Sequence, residues 1–514
     1  MAAVKSSQTS WPFKSIFITG CNRGIGLELV KQILNLRAPP NNIFATCRSL
    51  EKASELKKLE ATHTNLHLIE FDVTNFQAIG HVVSEVEKKL EGHGLNLLIN
   101  NAAVADKANL DAVTAQSMID VYNTNVVAPL ILTKGLLPLL RRAASQSGHQ
   151  NSTKTFVANM SSGAGSITNN TRGSLYPYRP SKAALNMITK SLSIDLEKDG
   201  IMAVSLHPGW VQTDMGGPNA TLTVEQSVQG LVSVIASLDE TKNGGFLDFR
   251  GQLLPWFQCG VIIIFSKPFH AAMSIFITGC NRGIGLELVK QILNLSTPPR
   301  NIFATCRSIE IASELKNLAA SNSNLHLIEF DVTDFQAIGH VVSEVEKNLE
   351  GQGLNLVINN AGVMDSAKLN DVAAEGMIDV FNANVVAPLM LTKGLLPLLR
   401  RAASQSNDQG STKALVANMS SSLGSIANTK GGLYPYRTSK AALNMVTKSL
   451  SIDLEKDGIM TVSLHPGWVQ TDMGGSNAAV TTEQSVQGLL SVIASLDESK
   501  NGGFLSFSGE ILPW

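Results

Sequence analysis

SIFITGCNRGIGLELVKQILNL, Ser15 to Leu36, decides the fold. A short β-rich apolar run ends in Thr-Gly, a glycine-spaced turn follows, and apolar residues then recur at helical spacing. Gly20, Gly24 and Gly26 let the backbone turn sharply and approach a ligand closely. The helix that opens at this turn presents free N–H groups and the positive end of its dipole, which suits a pyrophosphate. Spaced glycines alone also serve ordinary turns, so the argument rests on their place between a strand and a helix, with Ile25 between the last two.

The same stretch returns letter for letter from Ser274 to Leu295, with Gly279, Gly283, Ile284 and Gly285 in the matching places. The likeness runs on to GGFLDFRGQLLPW at Trp256 and GGFLSFSGEILPW at Trp514. Spacing between matched residues stays constant up to Ser162 and Ser421, then drops by one before Tyr178 and Tyr436, a loop change that costs little. A repeat of about 240 residues is far beyond solenoid periods, and each copy is long enough to bury its own core. The chain therefore divides into an N-terminal extension over 1–14, a first domain over 15–256, a linker over 257–273 and a second domain over 274–514. The linker, FQCGVIIIFSKPFHAAM, matches neither copy and spans at most about 60 Å if extended. Its VIIIF run falls far short of the ~20 apolar residues of a membrane helix.

Within each copy, β-rich runs alternate with helical patterns about seven times. Continuous apolar runs such as LNLLIN read as strands buried on both faces, so each copy is predicted to be a Rossmann-type doubly wound α/β domain with a seven-stranded, mainly parallel sheet. Such sheets bind ligands at the carboxyl ends of their strands.

The second strand ends Thr46-Cys47-Arg48 with no acidic residue to hold a ribose 2′-hydroxyl. Arg48 with Arg23, and Arg307 with Arg282, would instead bind a 2′-phosphate, which favours NADPH over NADH. Asp72-Val73 and Asp331-Val332, after the third strand, offer a carboxylate and a backbone N–H to an adenine edge, or alternatively a helix N-cap.

Four of the five tyrosines fall in two copies of Tyr-Pro-Tyr-Arg. Tyr178 and Lys182, like Tyr436 and Lys440, stand four residues apart and so share one face of a helix. An ammonium beside a phenol lowers its pKa, which suits a general acid/base. Ser162 and Ser421 close the preceding strand, where a hydroxyl can polarise a carbonyl or cap a loop. His207 and His465 have no partner at catalytic or metal-ligand spacing and read as packed histidines; Trp210 and Trp468 either cap a pocket or are simply buried.

These motifs, in this order, resemble the short-chain dehydrogenase/reductase family, and within it the NADPH-dependent carbonyl reductases of the sniffer and C-factor-like type. The resemblance covers both halves. It implies that Tyr178 protonates a carbonyl oxygen, that Lys182 holds the nicotinamide ribose, that Ser162 binds substrate and that Asn125 anchors a relay water. Tyr436, Lys440, Ser421 and Asn384 would repeat those roles. It further implies that Asn101 and Ala102, with Pro208, Gly209, Val211 and Thr213, line the cofactor, as do Asn360, Ala361, Pro466, Gly467, Val469 and Thr471. No metal is required, because the cofactor carries the hydride. Ala103 replaces the glycine that the second copy keeps at Gly362; if that position needs φ > 0 or close approach, the first site is impaired.

A composition of 44% hydrophobic and 16% charged residues with net charge −1 excludes disordered and strongly basic, nucleic-acid-binding classes. Five cysteines without Cys-x-x-Cys spacing, and an opening MAAVKSSQTS without an apolar stretch, point to a reducing, cytoplasmic setting with no membrane partner. The expectation is a tandem carbonyl reductase acting on small aldehydes or ketones, and the resemblance implies that its halves can pair as an internal pseudo-dimer through their long fourth and fifth helices. A nucleotide-sensing protein with little turnover and an enzyme of NAD-linked alcohol oxidation stand as the alternatives.

Overall fold

A computed structural model describes residues 11–146, 154–255, 272–405 and 414–514. The first half runs β1 (Ser15–Ile18), α1 (Gly24–Leu34), β2 (Asn42–Cys47), α2 (Ser54–Glu60), β3 (Leu66–Glu70), α3 (Ile79–Leu90) and β4 (Leu97–Asn100). It continues through α4 (Ala115–Tyr122), α5 (Ala128–Gln146), β5 (Thr155–Met160), α6 (Tyr178–Asp195), β6 (Ile201–His207), α7 (Val224–Ala236) and β7 (Phe246–Asp248). The second half repeats this as β8 (Ser274–Ile277), α8 (Gly283–Leu293), β9 (Asn301–Cys306), α9 (Ser313–Ser321), β10 (Leu325–Glu329), α10 (Ile338–Leu349) and β11 (Leu356–Asn359). Then follow α11 (Ala374–Phe381), α12 (Ala387–Gln405), β12 (Ala414–Met419), α13 (Tyr434–Asp453), β13 (Ile459–His465), α14 (Thr482–Ala494) and β14 (Phe504–Ser506).

Each half forms a seven-stranded sheet in the order β3-β2-β1-β4-β5-β6-β7, or β10-β9-β8-β11-β12-β13-β14, and every strand pair is parallel. This is the doubly wound architecture predicted from the alternation of runs. Because successive side chains leave a strand on opposite faces, Ile16 and Ile18 enter one core layer while Phe17 between them enters the other. Strand order reverses between β1 and β4, so the glycine turn after β1 and the ends of β4 and β5 open at one sheet edge. Phe13, within the segment read as an extension, is buried and meets Phe156 edge to face at 6.1 Å. The linker, with Trp256 and its VIIIF run, lies almost wholly outside the described residues.

The α4–α6 face of the first half and the α11–α13 face of the second share one hydrophobic core. Helix α6 packs against α13, and Asn170 donates to Ser449 Oγ across the junction at 3.0 Å. Lys134 Nζ reaches Val372 O at 2.9 Å, and its counterpart Lys393 Nζ reaches Asp111 O and Val113 O at 2.7 and 2.8 Å. The halves are thus related by an approximate twofold exchange of the same contacts. Among the described residues, no helix is long and apolar enough to cross a membrane.

Candidate active site

The glycine turn is shaped for a ligand that approaches the backbone. Gly20 and Gly24 have φ of +71° and +54°, which L side chains rarely adopt, and a methyl group at Gly26 would overlap Gly20 O. Arg23 and Arg282 stand at the starts of α1 and α8 with no side-chain bond to the first amides, and in the second half Gly283, Ile284 and Gly285 of that start line the cleft. Thr19 Oγ1 accepts from Asn101 N and Ala102 N at 3.0 and 2.9 Å, and Asn101 Nδ2 donates to Thr19 O at 2.8 Å. These bonds tie the end of β4 to the turn, as Thr278, Asn360 and Ala361 do in the second half. The threonine's part was missed in the sequence, although its place directly before the first glycine was a visible signal.

In the second half this edge is a cleft of about 620 Å³. Gly279, Gly283, Ile284, Gly285, Asn360 and Ala361 line one end with Arg282 and Arg307, and Asp331 and Val332 lie beside them. Tyr436, Lys440, Pro466 and Thr471 complete the wall. Gly467 and Val469 stand behind it: Gly467 has φ of +92° and faces Phe507, and Val469 is buried in a bridge to Val480. Their counterparts behave alike, since a side chain on Gly209 would meet Leu222 and Val211 pairs with Leu222. Thr213 reaches the glycine turn, its methyl 3.4 Å from where a Cβ on Gly24 would lie.

Arg48 and Arg307 are exposed at the cleft end. Arg23 and Arg282 pair with Asp214 and Asp472, acidic residues the sequence reading missed, in ion pairs that are about two-thirds or more exposed and therefore open readily. Asp72 does not cap a helix: its Oδ1 accepts from Thr74 N and Thr74 Oγ1 at 2.9 and 2.7 Å in a local turn, and Asp331 does the same with Thr333. That turn, with Arg307 nearby, holds the Asp331 carboxyl below its ordinary range despite burial.

At the other end of the cleft, α6 and α13 present the tyrosine and lysine. Lys182 Nζ lies 5.6 Å from the centre of the Tyr178 ring and donates to Met160 O at 2.9 Å; Lys440 lies 5.5 Å from the Tyr436 ring and donates to Met419 O at 2.8 Å. Ser162 Oγ accepts from Ala164 N and Ser421 Oγ from Leu423 N, each at 3.2 Å, and the two hydroxyls lie close enough to the phenols to act on their pKa. Burial pushes the Tyr178 phenol up and the Tyr436 phenol up to about 12, the serine opposing it in each. The expected depression by lysine is not among the causes acting on either phenol, because each lysine, itself brought down by burial, has lost its charge before its phenol ionises. Burial also brings Lys182 down to about 7 and Lys440 down to about 8, weakening the cation itself.

Asn125 and Asn384 sit on π-helical turns, Asn123–Val127 and Asn382–Val386, that join α4 to α5 and α11 to α12. Asn125 Oδ1 accepts from Val104 N, and Nδ2 donates to Val104 O and Ser181 Oγ; Asn384 does the same with Val363 and Ser439. With the side chain so engaged, one Oδ1 lone pair remains for a further donor. A Cβ at Gly362 would lie 3.1 Å from Asn384 Oδ1 and 3.7 Å from Lys440 Nζ, so the position is close but not closed. Neither Gly362 nor Ala103 has positive φ, and the asparagine bonds match in the two halves. The methyl group of Ala103 therefore fits without backbone strain.

His207 and His465 are largely buried, and desolvation pushes both below the ordinary range. Trp210 and Trp468 are 53% and 58% exposed, which removes burial as the reason for them; each indole donates to a backbone carbonyl, Gly216 O or Gly474 O. Among the described residues no group of three His, Cys, Asp or Glu side chains could hold a metal, and Cys21, Cys47, Cys280 and Cys306 are buried free thiols.

Residues 14–221 and 273–481 each match the family described as short chain dehydrogenase. The C-signal protein of Myxococcus xanthus is 44% identical over 163 residues, which covers 31% of this chain and 93% of that protein. The carbonyl reductase Sniffer of D. melanogaster is 48% identical, covering 47% of this chain and all of that one, with a TM-score of 0.47. The N-domain of a bacterial malonyl-CoA reductase, solved with NADP, is 15% identical and covers 97% of both chains with a TM-score of 0.70, a likeness of fold that extends to both halves together.

Proposed function

This chain belongs to the short chain dehydrogenase family of oxidoreductases, and from that premise we propose that it reduces small aldehydes or ketones with NADPH at two sites, one in each of the domains 15–256 and 274–514. The observation that carries this reading is a tyrosine with a buried lysine 5.6 or 5.5 Å from its ring and a serine close by, present in both halves at the same sheet edge as an intact glycine turn. The cofactor fits that edge. The uncapped start of α1 and the positive-φ glycines suit a pyrophosphate, and Arg23 and Arg48, or Arg282 and Arg307, supply bidentate donors for a 2′-phosphate. When bound, the reduced nicotinamide supplies the hydride.

The protein's own part is proton delivery and orientation. Tyr178 and Tyr436 stay protonated at neutral pH because burial disfavours the phenolate, which is the charge state a carbonyl reduction consumes. Ser162 and Ser421 fix the phenol and offer a second contact to the substrate oxygen. Lys182 and Lys440 hold the ribose end of the cofactor and, through Asn125 and Asn384, replace the phenol's proton by way of a water. In the second half Val363, Met364, Trp468 and Met473 expose apolar surface, which suits an uncharged substrate.

The test is consumption of reduced nicotinamide by the full chain with a panel of small aldehydes and ketones, NADPH and NADH side by side. The reading expects carbonyl-dependent oxidation with a preference for NADPH. Tight NADPH binding that no carbonyl turns over would favour a sensor instead.

A further inference from the structure

The carboxylates at the far ends of the catalytic helices do not serve their own half. Asp453, the last residue of α13, accepts from Tyr176 Oη at 2.9 Å and from Ser174 N at 3.0 Å in the first half. Asp195, the last residue of α6, accepts from Tyr434 Oη at 2.9 Å and from Gly432 N at 3.0 Å in the second. A carboxylate at a helix C-terminus opposes the helix dipole, so neither aspartate is there for its own helix. Any side chain on Gly173 would overlap Asp453, and any on Gly431 would overlap Asp195, so the two turns are cut to receive the carboxylates.

The braced segments are strained and adjoin the reacting group. Gly173, Ser174 and Leu175 all have positive φ, 62°, 53° and 56°, as do Gly431, Gly432 and Leu433 at 77°, 62° and 50°. Non-glycine residues in that conformation cost on the order of 1–2 kcal/mol each, so something must hold them. Tyr176 and Tyr434 follow these turns directly, are fully buried, and precede Tyr178 and Tyr436 by two residues. Leu175 O accepts from Tyr178 N at 3.0 Å, so the turn sets where the catalytic helix starts.

We propose that Asp453 is a positioning residue for Tyr178 and Asp195 for Tyr436, so that each active site is completed by the other half of the chain. This rests on the reductase reading above. In each helix the first turn carries the proton donor of one site and the last residue braces the other.

The experiment uses the full chain with one site silenced. In a Tyr436→Phe background, which leaves only the first site, Asp453→Asn is expected to lower kcat about tenfold or more with the KM for NADPH held, since small misplacements of a reacting group are costly. Asp195→Asn in the same background is expected to lower it far less, and in a Tyr178→Phe background the order of the two effects reverses. Tyr176→Phe, which keeps the packing and removes the phenol of the brace, is expected to reproduce the kcat loss if Asp453→Asn fails to fold. Hydrogen exchange is followed in parallel: Asp453→Asn should release protection over residues 172–178 and not over 430–436. Equal losses from both aspartates in both backgrounds, or unchanged exchange over 172–178, would overturn the proposal. If the unaltered chain turns over no carbonyl, the reductase reading fails while the exchange measurement still decides the brace.

Discussion

Tyr122 and Phe381, equivalent residues of the two halves, stack on each other with ring centres 3.7 Å apart and planes 12° from parallel. Both are buried in the shared core, and Tyr122 Oη also meets Thr438 Oγ1 at 3.1 Å across the junction. The approximate twofold axis of the chain passes between these rings.

Phe381→Ala should therefore damage both halves at once. Removing a buried phenyl costs about 3–5 kcal/mol, and here the loss falls on a contact within the core that the two halves share. Denaturant unfolding is expected to move to lower midpoint and to separate from one transition into two.

The glycine turns give a sharper, local prediction. Gly26→Ala and Gly285→Ala each place a methyl group on a carbonyl oxygen of the same turn, Gly20 O or Gly279 O. NADPH titration of either single variant should show one site where the unaltered chain shows two, and the double variant should show none.

Cofactor choice is expected to reside in the exposed arginines. Arg48→Ala with Arg307→Ala removes one charge-assisted partner of the 2′-phosphate from each site, worth about 1.5–3 kcal/mol. KM for NADPH should rise by roughly 10–100-fold on that basis, with KM for NADH little changed.

Much of this was legible in the sequence. The turn SIFITGCNRGIG places a strand, a phosphate cradle and a helix in order, and its verbatim return as Ser274 to Gly285 fixes two equal domains. The Tyr-x-x-x-Lys spacing likewise puts both groups on one helix face. Other features depend on tertiary placement. Asn-Thr-Asn-Val-Val and Asn-Ala-Asn-Val-Val read as ordinary helix, and nothing in those residue types marks the π turns at Asn123–Val127 and Asn382–Val386. The lysine was expected to depress the phenol pKa from spacing alone; its burial against the neighbouring strand end, where it donates to Met160 O or Met419 O, lowers its own pKa and so removes that charge. Asp195 and Asp453, in Ser-Ile-Asp-Leu-Glu-Lys-Asp, look like solvated helix-end charges until the opposite half is in place.

Stability should depend on pH through the buried lysines. Burial lowers Lys182 to about 7 and Lys440 to about 8, whereas an exposed lysine titrates near ~10.4. Between those values the unfolded chain binds the additional protons, so stability rises with pH across that window and the cost of each lysine is largest below it. Lys182→Met is expected to stabilise the cofactor-free protein by on the order of 3 kcal/mol near pH ~6, the gain shrinking as pH rises through ~7 toward ~10. Thermal unfolding across that range checks the sign.

The claim on which the account stands is that one chain carries two working proton donors, Tyr178 and Tyr436. The direct measurement is NADPH oxidation with a carbonyl substrate by the unaltered chain, Tyr178→Phe, Tyr436→Phe and the double variant, each shown to bind NADPH. The account expects each single variant to keep the activity of the remaining site and the double variant to lose about 10²-fold or more. A double variant that turns over as fast as the unaltered chain would contradict it.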